Sequence, residues 1–163
     1  MNWDAIGALG EVAGALVVII SVIYLASQVR QNTATSRAEA LRTISIEISR
    51  GFQEWGKDER GSEIWHKVLY EQVRRSELAP AEAMSASFSI ISRFSLYDAA
   101  FRSYKENILT EDELRQVLTT RIFDLPFTKD SWPIYRQELS SDFVAYLEKE
   151  KPQLLESEIA DGT

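Results

Sequence analysis

Cysteine is absent from the 163 residues and histidine occurs once, at His66. The first absence excludes disulfides and thiolate metal sites, and it fits a cytoplasmic setting. The second removes most acid–base and metal chemistry. Glu63-x-x-His66 has the spacing of half a di-metal carboxylate site, but such a bundle needs a second Glu-x-x-His and two further Glu. His66 is therefore expected to be solvated or capping, beside Trp65. No phosphate-binding glycine loop, G-x-S-x-G or H-E-x-x-H is present, and a serine triad would have to rely on His66 alone. The expectation is no catalytic residue, no metal ligand, no cofactor and no enzyme.

Positive charge is also scarce. Lys and Arg number 18 against 25 Asp and Glu, for a net charge of −7. An acidic chain argues against nonspecific nucleic-acid binding. No Lys or Arg precedes Arg30. A signal peptide needs a basic n-region and a small-residue cleavage site, so it competes poorly as a reading of the N-terminal segment.

What the chain does contain is one long apolar run, AIGALGEVAGALVVIISVIYLA, over residues 5–26, with Glu11 its only charged side chain. At about 1.5 Å per residue, 22 helical residues reach roughly 33 Å, against a bilayer core of about 30 Å. Val12, Leu16, Val17, Val18, Ile19, Ile20, Val22, Ile23 and Leu25 favour insertion by about 3 to 5 kcal/mol together. Glu11, if it costs what a central charge costs, takes back roughly 2.5 to 3.5 kcal/mol. The run is apolar all round from 12 to 20, unlike an interfacial amphipathic helix, and long for a buried core helix. It is read as a transmembrane helix over 5–28. Arg30, Arg37 and Arg42 follow it and only Asp4 precedes it, which places the N-terminus outside and the following domain in the cytoplasm. Trp3 and Tyr24 lie near its ends, where amphipathic rings favour the interface.

Within this run Gly7, Gly10, Gly14, Val17, Ser21, Tyr24 and Gln28 recur at 3-4 spacing, a seam of mostly small and polar residues. Gly10-x-x-x-Gly14 lets helix backbones approach closely. Glu11 borders the seam, and a membrane carboxyl usually faces another helix or a wet cavity. The candidate helix–helix interface is thus Gly7, Gly10, Glu11, Gly14, Ser21 and Gln28. The alternatives for Glu11 are a shallow position snorkelling to the outer surface and a part in ion or proton handling.

No Pro or Gly interrupts residues 28–50, so the helix is expected to continue into the cytoplasm, with Leu41, Ile44, Ile48, Phe52 and Trp55 as its stripe. The ISIEIS run alternates with period 2, and a short strand is the competing reading. Residues 56–61 read as a loop and Ser62 as the cap of a second helix carrying Trp65, Val68, Leu69 and Val73. Pro80 opens a third helix to about Asn107, with Met84, Phe88, Ile91, Phe94, Phe101 and Tyr104 inward. Asp98, inside that stripe, is expected to pair with Arg102. Arg74 and Arg75 read as a solvated helix end. Thr110 and Glu113 form a capping box for a fourth helix to about Phe123, broken by Leu125-Pro126-Phe127. Short helices around 132–138 and 141–149 follow, the latter burying Phe143, Val144 and Leu147. Pro152 ends regular structure.

The opening pattern Asn2-Trp3…Ile6-Gly7…Gly10-Glu11, then Ile23-Tyr24-Leu25-Ala26-Ser27-Gln28-Val29-Arg30-Gln31-Asn32-Thr33, resembles a family of uncharacterised bacterial proteins. Trp132 and Ser141-Asp142-Phe143-Val144-Ala145-Tyr146-Leu147 are similar to that family's ending. The resemblance implies one N-terminal membrane helix, a helical cytoplasmic domain and a bacterial origin. It implies no activity and carries over no functional residue.

The sequence thus predicts an all-α protein: an extracytoplasmic N-terminus (1–4), a transmembrane helix (5–28), a helical cytoplasmic domain (29–150) and a disordered acidic tail (151–163). It is expected in the bacterial inner membrane, with the lipid bilayer and either a second copy or another membrane protein as partners, and no nucleic acid. An oligomeric assembly handling ions or protons through Glu11 is the alternative function, and a membrane-tethered enzyme comes third.

Overall fold

In a computed structural model, which describes residues 3–57 and 59–155, every regular element is helical. The chain divides into two compact units, Met1–Glu39 and Ala40–Thr163.

Helix α1 runs Trp3–Trp55 and contributes to both units. Residues 28–50 lack the glycine and proline that would stop it. The period-2 reading of ISIEIS loses to period 3.6: Ile44 is buried, Ile48 partly so, and Ile46 is exposed. The helix closes when Gly56 N donates to Phe52 O and Lys57 N to Glu54 O, a tightening of the last turn. Ser62 does not cap the next helix. α2 (Glu59–His66) has already begun there, and Ser62 Oγ donates to Trp55 O, satisfying one of the carbonyls that α1 leaves open. The expected six-residue loop shrinks accordingly, since residues 59–61 are helical.

α2 passes into a single π-helical turn, Lys67–Glu71, that ends on Gln72 in the left-handed region (φ 54°). Trp65 stacks on Trp55 with ring centroids 3.7 Å apart, and Val68 is fully buried. α3 (Pro80–Lys105) starts with proline in its first turn, and Glu82 reaches back to accept from Ala79 N at 3.2 Å. Asn107, at φ 59°, turns the chain beyond its end.

The inward face of α3 differs from the expected stripe. Phe94 and Phe101 are buried, but Met84 and Phe88 are 58 % and 66 % exposed, and Ala83, Ala86, Ile90 and Tyr97 take the core positions. Apolar residues lie on several sides of this helix, so spacing alone does not select the buried one, and alanine permits closer approach than methionine or phenylalanine.

α4 (Glu111–Val117) begins at the expected capping box, with Thr110 N donating to Glu113 Oε2 at 2.9 Å. It stops short of Phe123. Thr119 Oγ1 donates to Arg115 O, and Thr120 turns extended to cap a 3-10 turn, Arg121–Asp124. Hydroxyl side chains here offer the backbone partners that compete with helix. Pro126 opens α5 (Pro126–Tyr135) rather than merely breaking a helix. Pro133 inside it removes a donor, and the chain tightens to 3-10 at Arg136–Glu138. α6 (Ser141–Glu150) buries Phe143, Val144 and Leu147 as expected. Pro152–Leu155 forms one more 3-10 turn, with Leu154 fully buried, so this part of the acidic tail is packed; residues 156–163 lie outside the described residues.

The core of the second unit is aromatic. Phe94 is surrounded by Phe123 at 5.4 Å, Trp132 at 5.5 Å and Tyr135 at 5.9 Å between ring centroids. Phe101 meets Phe143 at 5.6 Å and Tyr146 at 4.9 Å. Trp132 keeps its polar end satisfied by donating Nε1–H to Glu148 at 3.1 Å.

Candidate functional site

The six seam residues Gly7, Gly10, Glu11, Gly14, Ser21 and Gln28 all lie on α1 within the unit Met1–Glu39, and all are exposed. A helix turns about 100° per residue, so Glu11 neighbours Gly7 at i−4 and Gly14 at i+3. A Cβ added to Gly7, Gly10 or Gly14 would meet no atom within 4 Å. No turn, positive φ or close approach within this chain asks for glycine there. Each glycine costs roughly 0.8 to 1 kcal/mol of helix propensity relative to alanine.

The polar members of the seam bond along their own helix. Ser21 Oγ donates to Val17 O at 2.8 Å and Gln28 Nε2 to Tyr24 Oη at 3.3 Å; beyond the seam, Thr33 Oγ1 donates to Val29 O at 3.0 Å. Back-bonding of this kind satisfies hydroxyl donors without water. The nine large aliphatics from Val12 to Leu25 are 54–65 % exposed. From Gly10 the helix is long and apolar enough, by length and composition, to cross a membrane, and none of its most apolar window is buried among the described residues. Glu11 is far from any base on its own helix: Arg30 is the first, about 28 Å along the axis.

The second unit holds polar groups that the sequence did not single out in these roles. Asp98, 7 % exposed, does not pair with Arg102. Its two carboxylate oxygens accept from Ser140 N at 3.1 Å and Ser140 Oγ at 2.6 Å, fixing the residue that precedes α6. Forty-two residues separate the pair, beyond the reach of helical spacing. Arg74 is exposed as expected, whereas Arg75 is half-buried and departs from the solvated reading. Arg74 Nη1 lies 3.1 Å from Asp130, and Arg75 Nη1 donates to Ser87 Oγ at 2.5 Å and Ser131 Oγ at 3.2 Å, tying α3 to α5.

Arg93 was missed altogether. It is 4 % exposed, and its one hydrogen bond is from Nη2 to Ile48 O at 3.3 Å. Burial pushes this guanidinium below its ordinary pKa and pushes the neighbouring Tyr97 hydroxyl up. The available signal was its position in α3 between Ile90 and Phe94. Nearby hydroxyls show the cost of burial as well: Thr128 Oγ1 and Tyr135 Oη are buried with no well-formed hydrogen bond among the described residues.

His66 is solvated, with Nδ1 3.1 Å from Glu71 Oε1 and its ring stacked on Tyr70. Among the described residues, no three His, Asp or Glu side chains gather as a metal site would require. At the surface Lys67 and Glu82 pair at 2.9 Å, and their hydrogen bond raises the amine's pKa and lowers the carboxyl's.

Comparison with protein-family models, with curated proteins and with solved structures gives no match.

Proposed function

We propose that this chain is a single-pass protein of the bacterial inner membrane, with its N-terminus outside and its helical domain in the cytoplasm. Its role in this reading is interaction, without catalysis or a cofactor: it self-associates or docks on another membrane protein through the seam Gly7, Gly10, Glu11, Gly14, Ser21 and Gln28. The observation that carries the reading is the uncovered first part of α1, whose three seam glycines face open space. Nine exposed aliphatics in water would forfeit roughly 1.5 kcal/mol or more each relative to a covered state, and lipid supplies that cover. Lipid does not reward glycine. A second helix does, because small residues let backbones and their van der Waals surfaces meet.

Gly14→Leu, scored by a membrane two-hybrid assay of the full chain, is expected to weaken association, while Val18→Leu on the aliphatic side leaves it intact. Equal signals from both variants would remove the seam from the proposal. A reporter fused after Thr163 is expected to behave as cytoplasmic, and a periplasmic signal would reverse the orientation.

A further inference from the structure

Arg93 stands among apolar and aromatic neighbours without a counter-ion. Among the described residues no carboxylate pairs with it, and the electrostatic influence on it comes from the neutral Tyr97. A guanidinium has five N–H donors. The Ile48 carbonyl takes one, and the ring faces of Phe52 and Trp55 lie 5.0 and 5.5 Å from its central carbon. Arginine does not escape burial by losing its proton. The remaining nitrogens are not among the sealed, unpartnered atoms, so they reach the space of the cavities that Arg93 lines.

The backbone is shaped to hold this group. A Cβ on Gly51 would come within 2.7 Å of Arg93 Nη2, so glycine on α1 is what lets the guanidinium lie against the helix. Arg93 also forms part of the wall of two cavities. One, of about 640 Å³, is also lined by Glu47, Arg50 and Glu54, with Glu47 bonded to Arg50 at 2.6 Å and Glu54 to Lys57, so its other charges are already paired. The other, of about 440 Å³, is lined by Leu41, Ile44, Val117 and Ile122 together with the Thr120 hydroxyl. Glu113 borders this second cavity, but its carboxylate is engaged by Thr110 N and Oγ1 at 2.9 and 2.8 Å. Ser45, Gln116 and Thr119 line it as well, so an aliphatic wall faces a polar one that carries Arg93 and Glu113, and a cavity of this size with a few placed polar groups is the usual form of a small-ligand site.

We propose that the 440 Å³ cavity binds a single-chain amphiphilic carboxylate, with its headgroup on the Arg93 guanidinium and its apolar tail along Leu41, Ile44, Val117 and Ile122. One guanidinium balances one carboxylate and presents the matching fork of donors. A phosphate monoester would bring between one and two negative charges to a single cation. All the residues involved belong to the unit Ala40–Thr163, so the proposal stands apart from the membrane reading of α1.

The test uses the full chain in lipid nanodiscs, titrated with octanoate and followed by calorimetry and by the fluorescence of Trp55, with empty nanodiscs subtracted. Octanol, acetate and inorganic phosphate are the comparison probes. Saturable binding of one octanoate per chain is expected, with each comparison probe roughly tenfold weaker or more. Arg93→Gln removes the charge and is too short to keep the Ile48 O contact, so octanoate affinity is expected to fall roughly 10- to 100-fold, measured at a temperature where the variant is folded. Val117→Trp fills the tail space with Arg93 untouched and is expected to weaken octanoate similarly. It also carries the test should Arg93→Gln not fold. Octanoate uptake no greater than in empty nanodiscs, equal affinity for octanol, or full affinity in Arg93→Gln would each overturn the proposal.

Discussion

Gly14 and Gly51 lie on the same helix and do opposite things. A methyl group on Gly14 would touch nothing, whereas one on Gly51 would collide with the buried tip of Arg93. The contrast holds for the two units at large. In the first, aliphatic side chains are exposed and the hydroxyls bond back to their own helix. In the second, rings pack on rings, and polar side chains reach across tens of residues to partners, as Asp98 does to Ser140 and Arg75 to Ser131. One unit is complete within the chain. The other exposes the large aliphatics from Val12 to Leu25.

The largest effect that separates the two units is expected from the core. Phe94 is fully buried and ringed by Phe123, Trp132 and Tyr135. Phe94→Ala is expected to cost about 3 to 5 kcal/mol, because the surrounding rings cannot collapse into the space. Val18→Ala removes a smaller apolar group from an exposed position in the first unit, and it is expected to leave unfolding of the second unit unchanged. Denaturant titration of both variants, followed by near-ultraviolet circular dichroism, measures the difference. A large loss in Val18→Ala would mean that the first part of α1 belongs to the same cooperative fold.

The sequence made much of this division legible, for reasons that differ by region. The apolar run, the proline that starts α3 and the Thr110–Glu113 box are local signals, and each element formed where its own residues dictated. The inward face of α3 was harder. Met84 and Phe88 carry more apolar surface than Ala83 and Ala86, yet the alanines pack inside because closeness, not size, decides at that crossing. Asp98 and Arg75 were misjudged because their partners come from distant segments, and local spacing cannot see them. The seam was readable as a pattern, and among the described residues no side chain comes close enough to explain its glycines.

The glycine comparison gives a smaller and sharper test. Gly14→Ala is expected to raise helix stability in isolated monomer by about 1 kcal/mol, since it removes backbone freedom and meets no obstacle. Gly51→Ala gains the same propensity but must displace the Arg93 guanidinium from Ile48 O. Losing a hydrogen bond from a charged group costs about 1.5 to 3 kcal/mol, so the net change is a destabilisation of about 1 kcal/mol. The two variants should therefore move thermal stability in opposite directions. Stabilisation by Gly51→Ala would show that the guanidinium is free to move, and that the cradle around it is loose.

The least effect is expected from a buried hydroxyl at high pH. Tyr135 Oη is buried with no well-formed hydrogen bond among the described residues, and burial raises its pKa above the ordinary 10.0 while the nearby Ser131 and Ser87 hydroxyls pull the other way. Near pH 10 the unfolded chain begins to release this proton while the folded chain still holds it. Its contribution is whole below pH 10 and is lost as pH rises from there toward the folded value, at no more than about 1.4 kcal/mol per pH unit. Tyr135→Phe removes the titration together with an unsatisfied oxygen, so it is expected to be neutral or slightly stabilising at pH 7 and to flatten the fall in stability between pH 10 and 11. Stability curves of both proteins across that interval would show it. An unchanged slope would mean that the hydroxyl already reaches water, and would move Tyr135 from the closed core to its edge.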